Sequence, residues 1–375
     1  MSTNSFNRRE MLKVGAMASA AFLNFNLLET DLAQAQTVTA GKSVIKLSGN
    51  ENPYGPSPKA RKAIIEAVGA SNRYPWNDVL TLEKMIAERE GLQPENVVLG
   101  AGSSEILVMA GIAYGLDKGE IVAADPTFPW LMRYAVYVGA KTVRVPLDKN
   151  HAHDLNAMHD KISANTKLVY VCNPNNPTGT IVPTGQLKQF CADAAKRTAV
   201  FVDEAYLEYT DEFPTNSMVD FVRQNANVIV SRTFSKIYGL AGLRIGYGLA
   251  RKDIADNLKR LRASWLNAVS LRAAIASLQD ADFVNESRRK NKEVRLFTTR
   301  EMDKLNLAYV PSHCNSIWLN VGAGNRDLPA KLAKFNIQIL GANNAPLQSD
   351  WARITIGTQE EMKIFSEAMR RTLRA

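Results

Sequence analysis

Cysteine is nearly absent from this chain: Cys172, Cys191 and Cys314 are the full complement of its 375 residues. Three scattered thiols cannot build the disulfide framework that staples small secreted domains, so all three are read as free and packed. Past the first thirty residues, no stretch approaches the roughly 20 continuous apolar residues that a membrane-spanning helix needs, and stable membrane insertion of the mature chain is not expected. Internal repeats and low-complexity linkers are missing as well, and no constellation of metal ligands is expected.

What is present has the balance of a soluble globular protein, with 46% hydrophobic and 22% charged residues. The length suffices for two or three domains around a large core. The net charge of +9 does not come from the N-terminus, where Arg8, Arg9 and Lys13 are matched by Glu10, Glu29 and Asp31. Basic residues gather at Arg288, Arg289, Lys290 and Lys292, but with interleaved acids and a helical period. That pattern predicts a solvated helix face rather than a nucleic-acid footprint.

The first 35 residues carry their own signal. Arg8-Arg9 precede an uncharged run from Val14 to Leu28, broken only by Ser19, Asn24 and Asn26, and Ala33-Gln34-Ala35 offers a small-x-small cleavage site. The arginine pair points to twin-arginine export and a periplasmic mature protein. An uncleaved N-terminal helix is the alternative.

From about residue 72 to 251, short β-branched runs alternate with amphipathic stretches, which predicts an α/β domain with a mostly parallel sheet. Strands are expected at Val97–Gly100, Ile121–Ala124, Leu168–Cys172, Ala199–Asp203, Val228–Arg232 and Ile245–Ala250. Helices are expected at Asp78–Glu90, Ser103–Tyr114 and Thr184–Lys196. Beyond Arg251 the chain turns helix-rich, with strands near Ser316–Val321 and Ala352–Ile356 and a last helix opened by the capping box Thr358-Gln359-Glu360-Glu361. The boundaries expected are a signal at 1–35, the N-terminal part of a smaller α+β domain at 36–70, a large domain at 71–252 and the rest of the small domain at 253–375.

Chemistry concentrates at strand ends. In Ser231-Arg232-Thr233-Phe234-Ser235-Lys236, a lysine follows a strand with hydroxyls just before it, and Arg244 lies eight residues on. These are the parts that hold an aldehyde-bearing phosphate cofactor: an amine to bond it, hydroxyls and a guanidinium to grip its phosphate. Lys236 alone would pass for an ordinary lysine. Asp203 ends an apolar strand, where it can pair with a protonated ring nitrogen or simply cap the next helix, and Tyr206 follows within reach of a ring hydroxyl. Asn173-Pro174-Asn175-Asn176 reads as a turn and also offers an amide. Gly100-Ala101-Gly102-Ser103-Ser104-Glu105 joins a strand to a helix and makes a backbone-amide phosphate cradle. The rival dinucleotide reading fails because Glu105 stands where a third glycine would be needed.

In this order and company, the motifs resemble the fold-type I aminotransferases of class I/II, and within them the histidinol-phosphate aminotransferase branch. The resemblance runs from Asn50-Glu51-Asn52-Pro53-Tyr54-Gly55-Pro56 to Arg353-Ile354-Thr355-Ile356-Gly357. It implies pyridoxal 5'-phosphate held on Lys236, with Asp203 at the pyridine nitrogen and Asn176 and Tyr206 at the ring oxygen. It implies phosphate contacts from Arg244, Ser235, Thr233, Ser103 and the amides after Gly102, including that of Ser104. Phe128 matches the aromatic that stacks on the ring, although core packing would look the same, and Tyr74 matches a tyrosine that reaches the neighbouring subunit's phosphate. A shared site implies an isologous homodimer.

Arg353 matches the clamp on the substrate carboxylate, with Asn176 beside it. Members that read a substrate phosphate often carry an arginine after the strand at Ile337–Leu340, where this chain has Gly341-Ala342-Asn343-Asn344. A carboxylate-bearing amino donor is therefore expected ahead of histidinol phosphate, with a 2-oxo acid as acceptor. Decarboxylation, racemisation or carbon–sulfur lysis on the same scaffold is the alternative chemistry, and an exported binding protein without turnover the alternative class.

Overall fold

Among the described residues, twelve short strands carry the architecture: β1 (Ile45–Leu47), β2 (Val97–Gly100), β3 (Glu120–Asp125), β4 (Lys141–Pro146), β5 (Thr166–Cys172), β6 (Ala199–Asp203), β7 (Val228–Thr233), β8 (Gly246–Leu249), β9 (Tyr309–Val310), β10 (Ser316–Asn320), β11 (Ile337–Ile339) and β12 (Trp351–Thr355). They are taken from a computed structural model that describes residues 44–341 and 350–374. The expected signal at 1–35 and the loop residues Ala342, Asn343 and Asn344 lie outside the described residues.

Seven strands form one sheet in the order β2-β8-β7-β6-β5-β3-β4. Every neighbouring pair is parallel except those made by β8, which runs antiparallel to both β2 and β7. The strands are apolar almost throughout because both faces are covered. Val169, Val171, Val200, Val202, Val228 and Val230 pack on one side with Leu82, Ile86 and Leu187 of the helices there. Leu168, Tyr170, Phe201 and Ile229 pack on the other with Ile106, Leu107, Leu131 and Leu258. Each fully buried aliphatic side chain contributes about 1.5–3 kcal/mol, so this double layer fixes the register of the strands.

The mostly parallel α/β sheet matches the sequence reading, with local differences. β4 was not anticipated; it is an edge strand whose residues are largely exposed or half-exposed, so Lys141 and Arg144 break the apolar run. β8 spans 246–249 and starts one residue late, after Arg244 takes a left-handed conformation at φ 54°. The helix expected from Asp78 begins at Trp76.

A buried cation ties β7 to its surroundings. The Arg232 side chain is fully buried and donates to Glu90 at 2.7 Å, Glu204 at 3.0 Å and the Ser217 hydroxyl at 2.7 Å. Removing one partner of such a cluster costs about 3–5 kcal/mol, because the remaining charge is stranded. The helix Trp76–Glu90 is thereby pinned to the strand that delivers Lys236.

The C-terminal part adds the antiparallel sheet β12-β10-β9 and the two-stranded sheet β1-β11. Trp318 on β10 stands directly across from Arg353 on β12. The final helix, Gln359–Arg374, starts at the expected box: the Thr358 amide donates to Glu361 Oε2 at 2.7 Å and the Glu361 amide to Thr358 Oγ1 at 3.2 Å. Three members of the basic cluster on the helix Ala281–Asp303 pair with acids, Arg289 with Glu286 and Glu293, Lys290 with Glu286 and Lys292 with Asp211, while Arg288 donates to the Glu208 carbonyl and Asn285 Oδ1. All three cysteines are buried and free. No helix among the described residues is long and apolar enough to cross a membrane.

Candidate active site

The carboxyl ends of β2, β5, β6 and β7 meet along one edge of the sheet, and the loops leaving them enclose a cavity of about 260 Å³. Its walls hold Lys236, Asp203, Tyr206, Asn176, Arg244 and Arg353, together with Ser103, Ser104, Phe128, Thr233 and Ser235. Ligand crevices of α/β sheets form at this edge.

Lys236 comes from the turn after β7, and its Nζ donates to the Gly49 carbonyl at 3.1 Å. Its pKa is lowered to about 8, first by burial and then by the charge of Arg353, with Glu51 acting in the opposite direction. A fraction of the amine is therefore free at neutral pH, as a nucleophilic lysine requires.

Asp203 ends β6 and is buried. Burial pushes its carboxyl up to about 6, against the hydroxyls of Ser231 and Tyr170, which lower it. Tyr206, three residues on, accepts hydrogen bonds from Asn50 Nδ2 at 3.1 Å and, at the long limit, from Asn176 Nδ2 at 3.5 Å. Burial drives its phenol well above the ordinary range and keeps it neutral.

The phosphate end is built by a close approach. Gly102 caps the helix Ser103–Gly115 at φ +80°, and a Cβ there would sit 2.4 Å from Arg244 Nη2. Glycine therefore lets the guanidinium lie over the helix start, whose first amides have no helical acceptor. Arg244 is held by Ser235 Oγ at 3.2 Å and by the carbonyls of Ala241 at 3.0 Å and Ala101 at 3.2 Å. Thr233 Oγ1 accepts from the Ser235 amide at 3.1 Å and so orders the hydroxyls before the lysine.

At the opposite end, Arg353 Nη1 donates to Asn176 Oδ1 at 2.7 Å and Nη2 to the Ser48 carbonyl at 2.5 Å. Its Nε is buried without a hydrogen-bond partner among the described residues, and burial lowers its pKa. An anion in the cavity would supply the acceptor this side chain lacks.

Eleven of the twelve residues expected at the cofactor, and Arg353 with them, thus converge on one cavity or its rim. The twelfth, Tyr74, does not: it is 70% exposed and packs on Trp76 at 5.7 Å, with Trp76 edge-on to Trp265 at 4.4 Å. Gly341 packs so that a Cβ would fall 2.2 Å from Pro329 Cγ, which leaves no room for a side chain at that position itself. Ser48, Gly49 and Glu51 also belong to the site, although no local pattern in the sequence marks Ser48 or Gly49 and Glu51 stands out only as part of the segment Asn50–Pro56. The pairing of Arg353 with the Ser48 carbonyl spans 305 residues and has no local signal.

An amine, a buried acid, a phosphate cradle and an anion clamp in one cavity make a site for pyridoxal 5'-phosphate, and the comparisons place the enzyme among the transaminases that use it. Residues 42–369 match the family described as aminotransferase class I and II, and the chain belongs to it. More narrowly, it is similar to the histidinol-phosphate aminotransferase of Moorella thermoacetica, 39% identical over 91% of this chain and 89% of that one. It also resembles the structure of histidinol-phosphate aminotransferase from Sinorhizobium meliloti in complex with pyridoxal 5'-phosphate, at 26% identity and a TM-score of 0.79 over 89% of this chain and 91% of that one. The fold alone is shared with L-threonine-O-3-phosphate decarboxylase of Porphyromonas gingivalis, at 21% identity and a TM-score of 0.75 over 88% of this chain and all of that one.

Proposed function

We propose that this aminotransferase moves an amino group from an α-amino acid to a 2-oxo acid, with Lys236 as the cofactor-bearing and proton-moving residue. The observation that carries the reading is the placement of Lys236 Nζ in one cavity with Asp203, Arg244 and Arg353. The residues fit pyridoxal 5'-phosphate. Arg244, Thr233, Ser235, Ser103 and the amides of Ser103 and Ser104 would hold its phosphate, Asp203 its ring nitrogen, Asn176 and Tyr206 its ring oxygen, and Phe128 its face.

When bound, the cofactor supplies an aldehyde carbon that takes up the substrate nitrogen and a ring that accepts electron density from the substrate α-carbon. Asp203 would keep the ring nitrogen protonated, a task suited to a buried carboxylate facing a cation. Lys236 would take the substrate α-proton on Nζ and return it, and its lowered pKa of about 8 makes both transfers accessible near neutrality. Arg353 orients the substrate by its anionic group, fixing which bond faces Lys236.

Arg353 supports a carboxylate as that anionic group, and the packing of Gly341 denies a second guanidinium at that position. The names of the relatives favour histidinol phosphate as a second reading. Comparing kcat/KM for histidinol phosphate with that for phenylalanine, histidine and glutamate separates the two. A preference of at least tenfold for an α-amino acid supports the first reading, since about 1.4 kcal/mol gives that ratio, and a clear preference for histidinol phosphate refutes it.

The homodimer belongs to the same proposal. Ile65, Tyr74, Trp76, Leu80 and Trp265 are exposed apolar residues, Tyr74, Trp76 and Trp265 are in ring contact, and Tyr74 would complete the neighbouring subunit's phosphate site. Export rests on Arg8-Arg9 and the segment after it; Arg8→Lys with Arg9→Lys is expected to hold the precursor in the cytoplasm, and undiminished mature protein outside it would refute the route.

A further inference from the structure

Asp203 lies between β5 and β7, in register with Cys172 on one side and Ser231 on the other. Each neighbouring strand lends it a hydroxyl. Ser231 Oγ donates to Oδ1 at 2.8 Å, and Tyr170 OH, two residues before Cys172 on the same face of β5, donates to Oδ2 at 3.2 Å. Tyr170 and Ser231 are both fully buried, at 0% exposure. Neither touches the cavity, and the core around them is apolar, with Phe201, Ile229 and Leu168 on the same face.

We propose that the Tyr170 and Ser231 hydroxyls are positioning groups that fix the Asp203 carboxylate, one oxygen each, for its contact with the cofactor's ring nitrogen. A carboxylate with a donor on each oxygen cannot rotate without breaking a bond, so the lone pair left facing the cavity keeps one direction. A buried anion without those donors is also costly and takes up a proton more readily. The groups facing Asp203 are Tyr170 and Cys172 from β5, Ser231 from β7, and the Ala205 amide and Glu204 from its own strand end. The two hydroxyls and the amide favour its charged form, Glu204 disfavours it, and the Cys172 thiol stays neutral because burial drives its pKa far up.

The inference rests on the reading that Asp203 pairs with the ring nitrogen, and the test separates the two. The full-length protein stripped of cofactor is titrated with pyridoxal 5'-phosphate from about pH 5 to pH 8, for wild type, Ser231→Ala, Tyr170→Phe, Ser231→Thr and Asp203→Asn. Asp203 must be ionised to hold a protonated ring, so affinity falls on the acid side. With a hydroxyl removed, the midpoint of that fall is expected to move upward by about half a unit to one unit. The dissociation constant at neutral pH is expected to rise on the order of tenfold, with KM for the amine unchanged. Ser231→Thr keeps a hydroxyl and is expected to keep the wild-type midpoint. Midpoints in Ser231→Ala and Tyr170→Phe that coincide with wild type overturn the proposal, even if both variants melt earlier. Should Tyr170→Phe not fold, Ser231→Ala decides alone. If Asp203→Asn binds the cofactor as wild type does, the Asp203 reading itself fails; if Asp203→Asn loses affinity and the hydroxyl variants do not, only the positioning role fails.

Discussion

Replacing Gly102 by alanine probes the phosphate cradle through a single methyl group. Gly102 sits at φ +80° and ψ 164°, a region that is essentially glycine's own and that an L-residue enters at a cost of about 1–3 kcal/mol. The added Cβ would lie 2.4 Å from Arg244 Nη2 and 3.0 Å from its Cζ, too close to persist. The guanidinium has to move, and with it the bonds to Ser235 Oγ and the carbonyls of Ala241 and Ala101. A displaced Arg244 forfeits at least one charge-assisted hydrogen bond to the cofactor phosphate, worth about 1.5–3 kcal/mol. At about 1.4 kcal/mol per decade, the cofactor's dissociation constant is expected to rise by roughly ten- to a hundredfold. The assay is titration of cofactor-free protein followed by absorbance, with thermal melts recorded with and without cofactor. Gly185→Ala is the control, because nothing lies within 4 Å of its added Cβ and it stands in the first turn of the helix Thr184–Ala194; it should be neutral or slightly stabilising. Wild-type cofactor affinity in Gly102→Ala would refute the assignment of Arg244 to the phosphate.

Two further outcomes follow from the same cavity. Asp203, raised to about 6 in the folded cofactor-free protein against about 3.9 unfolded, contributes stability that is full below pH 4 and lost as pH rises through about 6; Asp203→Asn should therefore melt higher than wild type at pH 8 without cofactor while losing turnover, and equal melting temperatures there would contradict the pKa direction. On the proposed dimer, mixing Lys236→Ala chains, expected to be inactive, with Tyr74→Ala chains, expected to be impaired, should raise activity above that of either alone, because a mixed dimer would hold one site with both residues; no gain in a verified heterodimer would remove Tyr74 from the neighbouring site.

The sheet and the cavity were legible in the sequence for a common reason. Apolar strands covered on both faces announce themselves as unbroken runs, and the residues that end them, such as Asp203, or follow them, such as Lys236, fall at one edge once the strands are parallel. β4 escaped because an edge strand needs only an intermittent apolar pattern, and here Lys141 and Arg144 interrupt it. The hydroxyls on Asp203 escaped for another reason: Tyr170 and Ser231 come from different strands, 33 and 28 residues away, and nothing short of the register places them on its two oxygens. The buried Arg232 cluster likewise joins Glu90 and Glu204 across 142 and 28 residues, and a sequence reads its members as surface charges. Segments near the N-terminus, with Ser48 and Gly49 accepting from Arg353 and Lys236, are pulled into the site by long-range contacts that carry no local motif.

Borohydride reduction of the loaded enzyme followed by peptide mapping reads out which lysine bears the cofactor. The reduced cofactor is expected on the peptide containing Lys236, with none on any other lysine and none in Lys236→Ala. Attachment to a different lysine in the wild-type protein, or undiminished attachment in Lys236→Ala, would contradict it.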